Sequence, residues 1–253
     1  MAGLRRGGRN VIRVELLPEP TSFDEEVRAP GNAWLAQHPD APPEAMPALW
    51  RPMTHLLADG FNHRCGYSAM WTPRGTVDHY LSRSTHPERT YDWDNYRFAS
   101  GEMNSRKGTW NDRVLDPFEI EDGWFEILLP SLELVMVEEL IPAEQRDRAR
   151  FTLKTLRLQD DDGILEQRQS WYDEFLNGEV TLSWLSRKAP LIGKAVQRRL
   201  GGLDPATIAD DETHWRWFLE EDLTLKGLRR RAPRLAEAVE TALRRPDRRR
   251  AGG

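Results

Sequence analysis

Five side chains with chemical capacity follow one another within residues 78–107: Asp78 and His79 side by side, then Asn95, Asn104 and Lys107. An imidazole with an ordinary pKa of about 6.5 suits proton abstraction from water near neutrality. A carboxylate (Asp78) and a carboxamide oxygen (Asn104) are hard ligands that hold a divalent cation and leave positions for water and phosphate. The amide oxygen of Asn95 is able to accept from one ring nitrogen of His79 and so fix its tautomer. Lys107, with Arg106 beside it, suits a non-bridging phosphate oxygen. Side chains of these types point to hydrolysis of a phosphodiester.

The elements that carry them must meet a condition. The run around GTVDH reads as a strand, YRFAS as a second strand, and GEMNSRKG as a short helix opening after Gly101. Asn104 and Lys107, three apart, share one helical face. In a regular strand, neighbouring side chains point to opposite faces. All five therefore reach one pocket only if the first strand ends or twists sharply at Asp78, and that is the expectation.

The ordered set Asp78-His79, Asn95, Asn104 and Lys107 resembles the HNH, or ββα-metal, endonucleases over residues 60 to 120. The resemblance implies His79 as general base, Asp78 and Asn104 as ligands of magnesium or manganese, and Asn95 as the residue that orients the base. It also implies 5′-phosphate and 3′-hydroxyl ends. The wider pattern, with RCGYSAMW upstream and NSRKG…VLDPF downstream, looks like bacterial HNH proteins of anti-phage systems such as Septu and retron modules, which work beside an ATPase partner. Many HNH proteins carry two CxxC pairs for a structural zinc; here only Cys65 is present, so no structural zinc is expected and packing must brace the site. Tyr67, Trp71, Trp93 and Phe98 are the expected braces. Asparagine in the third position favours a hard, oxygen-seeking ion over zinc.

The fold expected around this motif is α+β. Residues 1–60, rich in proline, read as an irregular N-terminal arm with one short helix near 46–60 and Trp34 and Trp50 as buried anchors. Residues 61–140 read as the nuclease core followed by a hairpin of 124–129 with 132–136, its acidic segment 114–140 a solvated face. Residues 141–245 read as helical, with starts at Pro142, Pro190, Pro205 and Pro233 and a stop at Gly178. Residues 246–253 read as a basic, flexible tail.

With 39% apolar residues, ten tryptophans and a mean hydropathy of -0.68, the 253-residue chain reads as a folded protein with a well-solvated surface. One cysteine excludes an intrachain disulfide framework, and no secretory signal or membrane-length apolar run is read, so a cytoplasmic protein is expected. A net charge of -5 excludes a uniformly basic coat, so nucleic-acid contact must come from patches. Residues 223–253 hold ten Lys or Arg against three acids, and Arg229, Arg230 and Arg231, ending a helix, are the expected contact with DNA or RNA. His38, His55, His63, His86 and His214 are read as non-catalytic, and Asp116 before Pro117 as a turn residue. Two rival readings accompany the DNA endonuclease: a non-catalytic nucleic-acid-binding subunit of an ATPase complex, and an RNA-cleaving toxin of the same fold.

Overall fold

Two short antiparallel hairpins and a set of helices make up the computed structural model, which describes residues 13–209 and 211–247. The mixture of helix with small two-stranded sheets agrees with the α+β expectation. The N-terminal segment is more regular than its prolines suggest. A π turn over Asp24–Arg28 runs into α1 (Ala29–Gln37), with Pro30 in the first turn, where its missing N–H costs least. The tripeptide Ala29-Pro30-Gly31 reads as a turn, yet Gly31 lies inside α1 because a side chain there would run into the ring of Tyr91. A 3₁₀ turn (Arg51–Met53) leads into α2 (Thr54–Gly60), the short helix expected near 46–60. Trp50 is buried as expected, whereas Trp34 is half-exposed and stacks on His38.

The strand, strand and helix of the motif form in the expected order. β1 (Gly75–His79) pairs antiparallel with β2 (Tyr96–Ser100), and α3 (Gly101–Lys107) follows at once. The Ser100 hydroxyl accepts from the Met103 amide at 3.2 Å, which starts α3, and Gly108, at φ 49°, ends it. The second hairpin joins β3 (Phe125–Ile127) to β4 (Leu134–Met136), as the alternation predicts.

Helices α4 (Arg146–Thr155), α5 (Asp162–Asn177), α6 (Leu182–Lys188), α7 (Pro190–Leu200), α8 (Pro205–Ala209), α9 (Glu212–Glu220), α10 (Leu225–Arg231) and α11 (Pro233–Arg244) complete the chain. Prolines begin α7, α8 and α11 as expected, and Gly178 ends α5 in the left-handed conformation at φ 73°. Pro142 instead precedes a 3₁₀ turn, and α4 starts at Arg146. Leu235, Val239 and Leu243 are buried along α11.

The acidic segment 114–140 keeps part of the expected solvated face, with Glu119, Glu121, Asp122 and Glu139 exposed, but it is also tied to its neighbours. Asp116 pairs with Arg97, Glu119 with Arg148, Asp122 with Lys194, Glu126 with Arg198 and Glu138 with Arg150, so most of these acids dock α4 and α7 onto the hairpin region. Of the expected tail, 248–253 lie outside the described residues, but Asp247 is held in place. Its amide donates to the Leu129 carbonyl at 2.7 Å, its carboxylate accepts from the Leu129 amide at 2.7 Å, and Arg199 pairs with it. No helix among the described residues is long and apolar enough to cross a membrane.

Two apolar clusters flank β1 and β2. One gathers the C-terminal helices, the second hairpin, Tyr67, Ala99 and Met103; the other gathers the N-terminal segment with Val77, Tyr96 and Phe98. Strand alternation divides the motif residues between these two sides.

Candidate active site around Asp78 and His79

The strand pairing runs unbroken to its end, with Asp78 opposite Arg97 and His79 opposite Tyr96. The sharp end or twist expected at Asp78 does not occur, so the two neighbours face opposite sides of the hairpin. The five residues do not converge on one pocket. They form two groups on either side of β1.

On one side lies a buried ion pair. Asp78 is 2% exposed, and its carboxylate accepts from Lys107 Nζ at 3.0 Å and from the Tyr67 hydroxyl at 2.6 Å. Lys107, fully buried at 0% exposure, also donates to the His79 carbonyl at 2.7 Å and so ties the end of α3 to the end of β1. Burial pushes the Asp78 carboxyl above its ordinary value, opposed by the charge of Lys107 and the hydrogen bond from Tyr67. Asn104, one turn before Lys107, donates through Nδ2 to Thr76 Oγ1 at 3.0 Å and to the Val77 carbonyl at 3.3 Å. That leaves its Oδ1, beside the backbone of β1, with no donor among the described residues.

The imidazole of His79, 7% exposed, occupies the other side. Its Nε2 is 3.0 Å from the Thr90 carbonyl, which can only accept, so Nε2 carries the proton and Nδ1 keeps its lone pair. No described residue hydrogen-bonds Nδ1. Trp50 and Tyr96 meet the ring edge-on at centroid distances of 4.6 and 5.1 Å. Burial pushes the imidazole down to about 3, with Arg83 and Lys107 adding repulsion and the Thr90 carbonyl opposing it. His79 is therefore neutral at pH 7.

No hydrogen bond joins Asn95 to the imidazole of His79. Its Oδ1 accepts from the Leu81 amide at 2.7 Å, and its Nδ2 donates to the Leu81 and Arg89 carbonyls at 3.0 and 2.9 Å. The expected bond from its amide oxygen to the imidazole is replaced by this clamp across the loop 80–95, which carries Thr90. A strap from the N-terminal segment covers the same loop. Arg83 donates to the Pro43 carbonyl at 2.8 Å and stacks on Trp50, and the Tyr91 hydroxyl donates to the Pro47 carbonyl at 3.0 Å.

No family model and no curated protein matches the chain.

The remaining expected residues sit as follows. The guanidinium of Arg106 donates to the Leu156 carbonyl and pairs with Asp161 and Glu102, so it links α3 to the start of α5 instead of standing open to a phosphate. Arg229, Arg230 and Arg231 are all exposed at the end of α10, and Arg229 donates to the Leu176 and Asn177 carbonyls at the end of α5 and pairs with Glu240. Of the expected braces, Trp93 and Phe98 are buried, Trp71 is half-exposed beneath the Lys188 ammonium, and Tyr67 contributes its hydroxyl to Asp78. Asp116 does make the expected turn, accepting from the Phe118 amide at 3.1 Å, but it also grips Arg97 through two bonds of 2.6 and 2.5 Å. Thr90 and the strap were invisible to sequence reading, because a backbone carbonyl and a covering segment carry no residue-type signal.

Oxygen ligands of the type a hard divalent cation takes are present on Asp78 and Asn104, but both Asp78 oxygens are already bonded, to Lys107 and Tyr67. A cation bound there would have to displace the Lys107 ammonium that neutralises Asp78. Among the described residues no group of three or more His, Cys, Asp or Glu side chains is placed to hold a metal, so water and phosphate must complete any such coordination.

Proposed function

We propose that the protein is a metal-dependent endonuclease of the HNH type that hydrolyses phosphodiester bonds in DNA. The observation that carries this reading is the preset imidazole: Nε2 of His79 is committed to the Thr90 carbonyl, and Nδ1 is the one ring atom left to accept a proton. In this reading His79 takes the proton of the attacking water at Nδ1, and Asn95 keeps the loop 80–95 in register so that Thr90 holds the ring. Asp78 and Asn104 lie across β1 from the imidazole, so a magnesium or manganese ion held by them would supply charge neutralisation at the phosphate that His79 serves only if the end of β1 rearranged. Lys107, released from Asp78, suits a non-bridging oxygen. The strap over Trp50 shields the imidazole and must shift for a phosphodiester to approach. A role in anti-phage defence and an ATPase partner rest on the resemblance alone.

The test uses plasmid DNA and an RNA of similar length, each incubated with the wild-type protein or His79→Ala, with magnesium or with EDTA. Cleavage of DNA by the wild type in magnesium, lost at least a hundredfold in His79→Ala and in EDTA, is the expected result. Preferential cleavage of RNA would move the reading to an RNA-directed enzyme.

The buried ion pair favours a second reading, a non-catalytic nucleic-acid-binding subunit. Both Asp78 oxygens are satisfied inside the protein, as in a purely structural pair. Equal inactivity of both proteins in the same assay, with nucleic-acid binding retained, would select it.

A further inference from the structure

We infer that Trp110, Arg113 and Phe151 form a stacking platform for an unpaired base of single-stranded DNA, a proposal that rests on the nucleic-acid reading above and names its substrate form. Trp110 is 41% exposed and is the one aromatic side chain among the large apolar residues that stand out from the described surface. Phe151 of α4 meets it edge-on at 5.3 Å. The Arg113 guanidinium lies over both rings, 4.9 Å from the Trp110 centroid and 4.3 Å from that of Phe151. No carboxylate pairs with Arg113 among the described residues, and the indole N–H of Trp110 has no acceptor there. An exposed indole beside an unpaired guanidinium offers a face for a base and a charge for the adjoining phosphate.

The platform is anchored to the candidate site. Trp110 lies three residues beyond Lys107, and its amide donates to the Lys107 carbonyl at 3.1 Å. Asn111, the next residue, accepts from the Ser82 amide at 2.8 Å and donates to Thr85 Oγ1 at 2.9 Å, which fastens the platform to the loop leaving His79. A strand laid on Trp110 would thus run past the segment that holds the imidazole. Duplex DNA keeps its bases stacked on each other and presents none to such a face, whereas a single strand does.

The experiment measures anisotropy of labelled oligonucleotides in EDTA, so that metal-dependent cleavage does not intervene. The ligands are a twenty-residue oligothymidylate, an abasic strand of the same length and charge, the corresponding duplex and the matching oligouridylate. The wild-type protein should bind the oligothymidylate more tightly than the abasic strand, the duplex or the RNA. Trp110→Ala should weaken oligothymidylate binding by about five- to a hundredfold, the loss expected of one stacked base, and leave the abasic strand unchanged. Trp110→Phe should recover most of the difference, and its exposed position keeps all three proteins folded, as thermal melting will verify. Unchanged binding by Trp110→Ala, an equal loss for the abasic strand, or tighter binding of duplex or RNA would overturn the platform. Cleavage that depends on His79 but with Trp110→Ala binding as wild type would sink the platform and spare the nuclease. Base-dependent binding through Trp110 with no cleavage would do the reverse.

Discussion

At the scale of single residues, the neighbours Asp78 and His79 show how one strand gives adjacent ionisable groups opposite environments. Asp78 meets a buried ammonium and a hydroxyl, while His79 meets two aromatic rings, a carbonyl and the positive charges of Arg83 and Lys107. The imidazole is held neutral by burial, down to about 3, whereas in the unfolded chain it titrates near 6.5. The sign of the linkage follows. Between those two values the unfolded chain binds the extra proton and the folded protein does not, so acidification removes stability, by at most about 1.4 kcal/mol per pH unit. Above about 6.5 the contribution is complete. Because Asp78 and other groups also titrate, the quantity to measure is the difference between the wild type and His79→Asn in urea unfolding. That difference should stay flat from pH 8 to 7 and shift against the wild type by roughly 2 kcal/mol at pH 5. A gap that does not change with pH would mean that the ring is solvated and titrates normally.

At the scale of elements, the loop between β1 and β2 is built around one side chain. Three backbone groups, the Leu81 amide and the Leu81 and Arg89 carbonyls, bond to the buried amide of Asn95. Asn95→Ala leaves them without that partner and should cost about 1–3 kcal/mol in urea unfolding. It should also speed amide hydrogen exchange selectively over residues 80–90. Protection there equal to the wild type would show that the strap, through Arg83 and Tyr91, holds the loop by itself. The two strands are legible because GTVDH and YRFAS have strand composition, and α3, expected to open after Gly101, opens at Gly101 itself because the Ser100 hydroxyl caps it. Asn95 was legible as a positioning residue, but its partner was not, since a carboxamide reaches backbone as readily as an imidazole. The helix at Ala29–Gln37 was hidden by Pro30 and Gly31, whose turn-like signal yields to packing against Tyr91. Convergence of the five motif residues was misjudged for a plainer reason: the alternation of the strand holds through His79.

At the scale of the whole molecule, β1 and β2 are the partition between two apolar clusters, and neither face of the hairpin is self-sufficient. Val77, Tyr96 and Phe98 need Phe23, Trp50, Leu57 and Phe61 from the N-terminal segment, while Ala99 and Met103 need the helical side. The helical side has its own internal tie in Arg168, buried in α5, whose guanidinium donates to the Leu132 and Leu158 carbonyls and which burial brings down to about 10. A chain that begins at residue 61 retains every motif residue yet loses the cover of one face, exposing several aromatic side chains worth about 1.5–3 kcal/mol each. Marginal domains do not survive a loss of that size. The truncated chain is therefore expected to keep helical circular dichroism from α4 to α11, to lose the near-ultraviolet signal of the packed aromatics, and to bind a hydrophobic dye. A cooperative melt at the wild-type temperature would mean instead that the N-terminal segment is an accessory layer over a core that folds without it. Dependence on that segment would also explain why the imidazole is reached only past a strap: the same residues that make the hairpin stable are those that cover it.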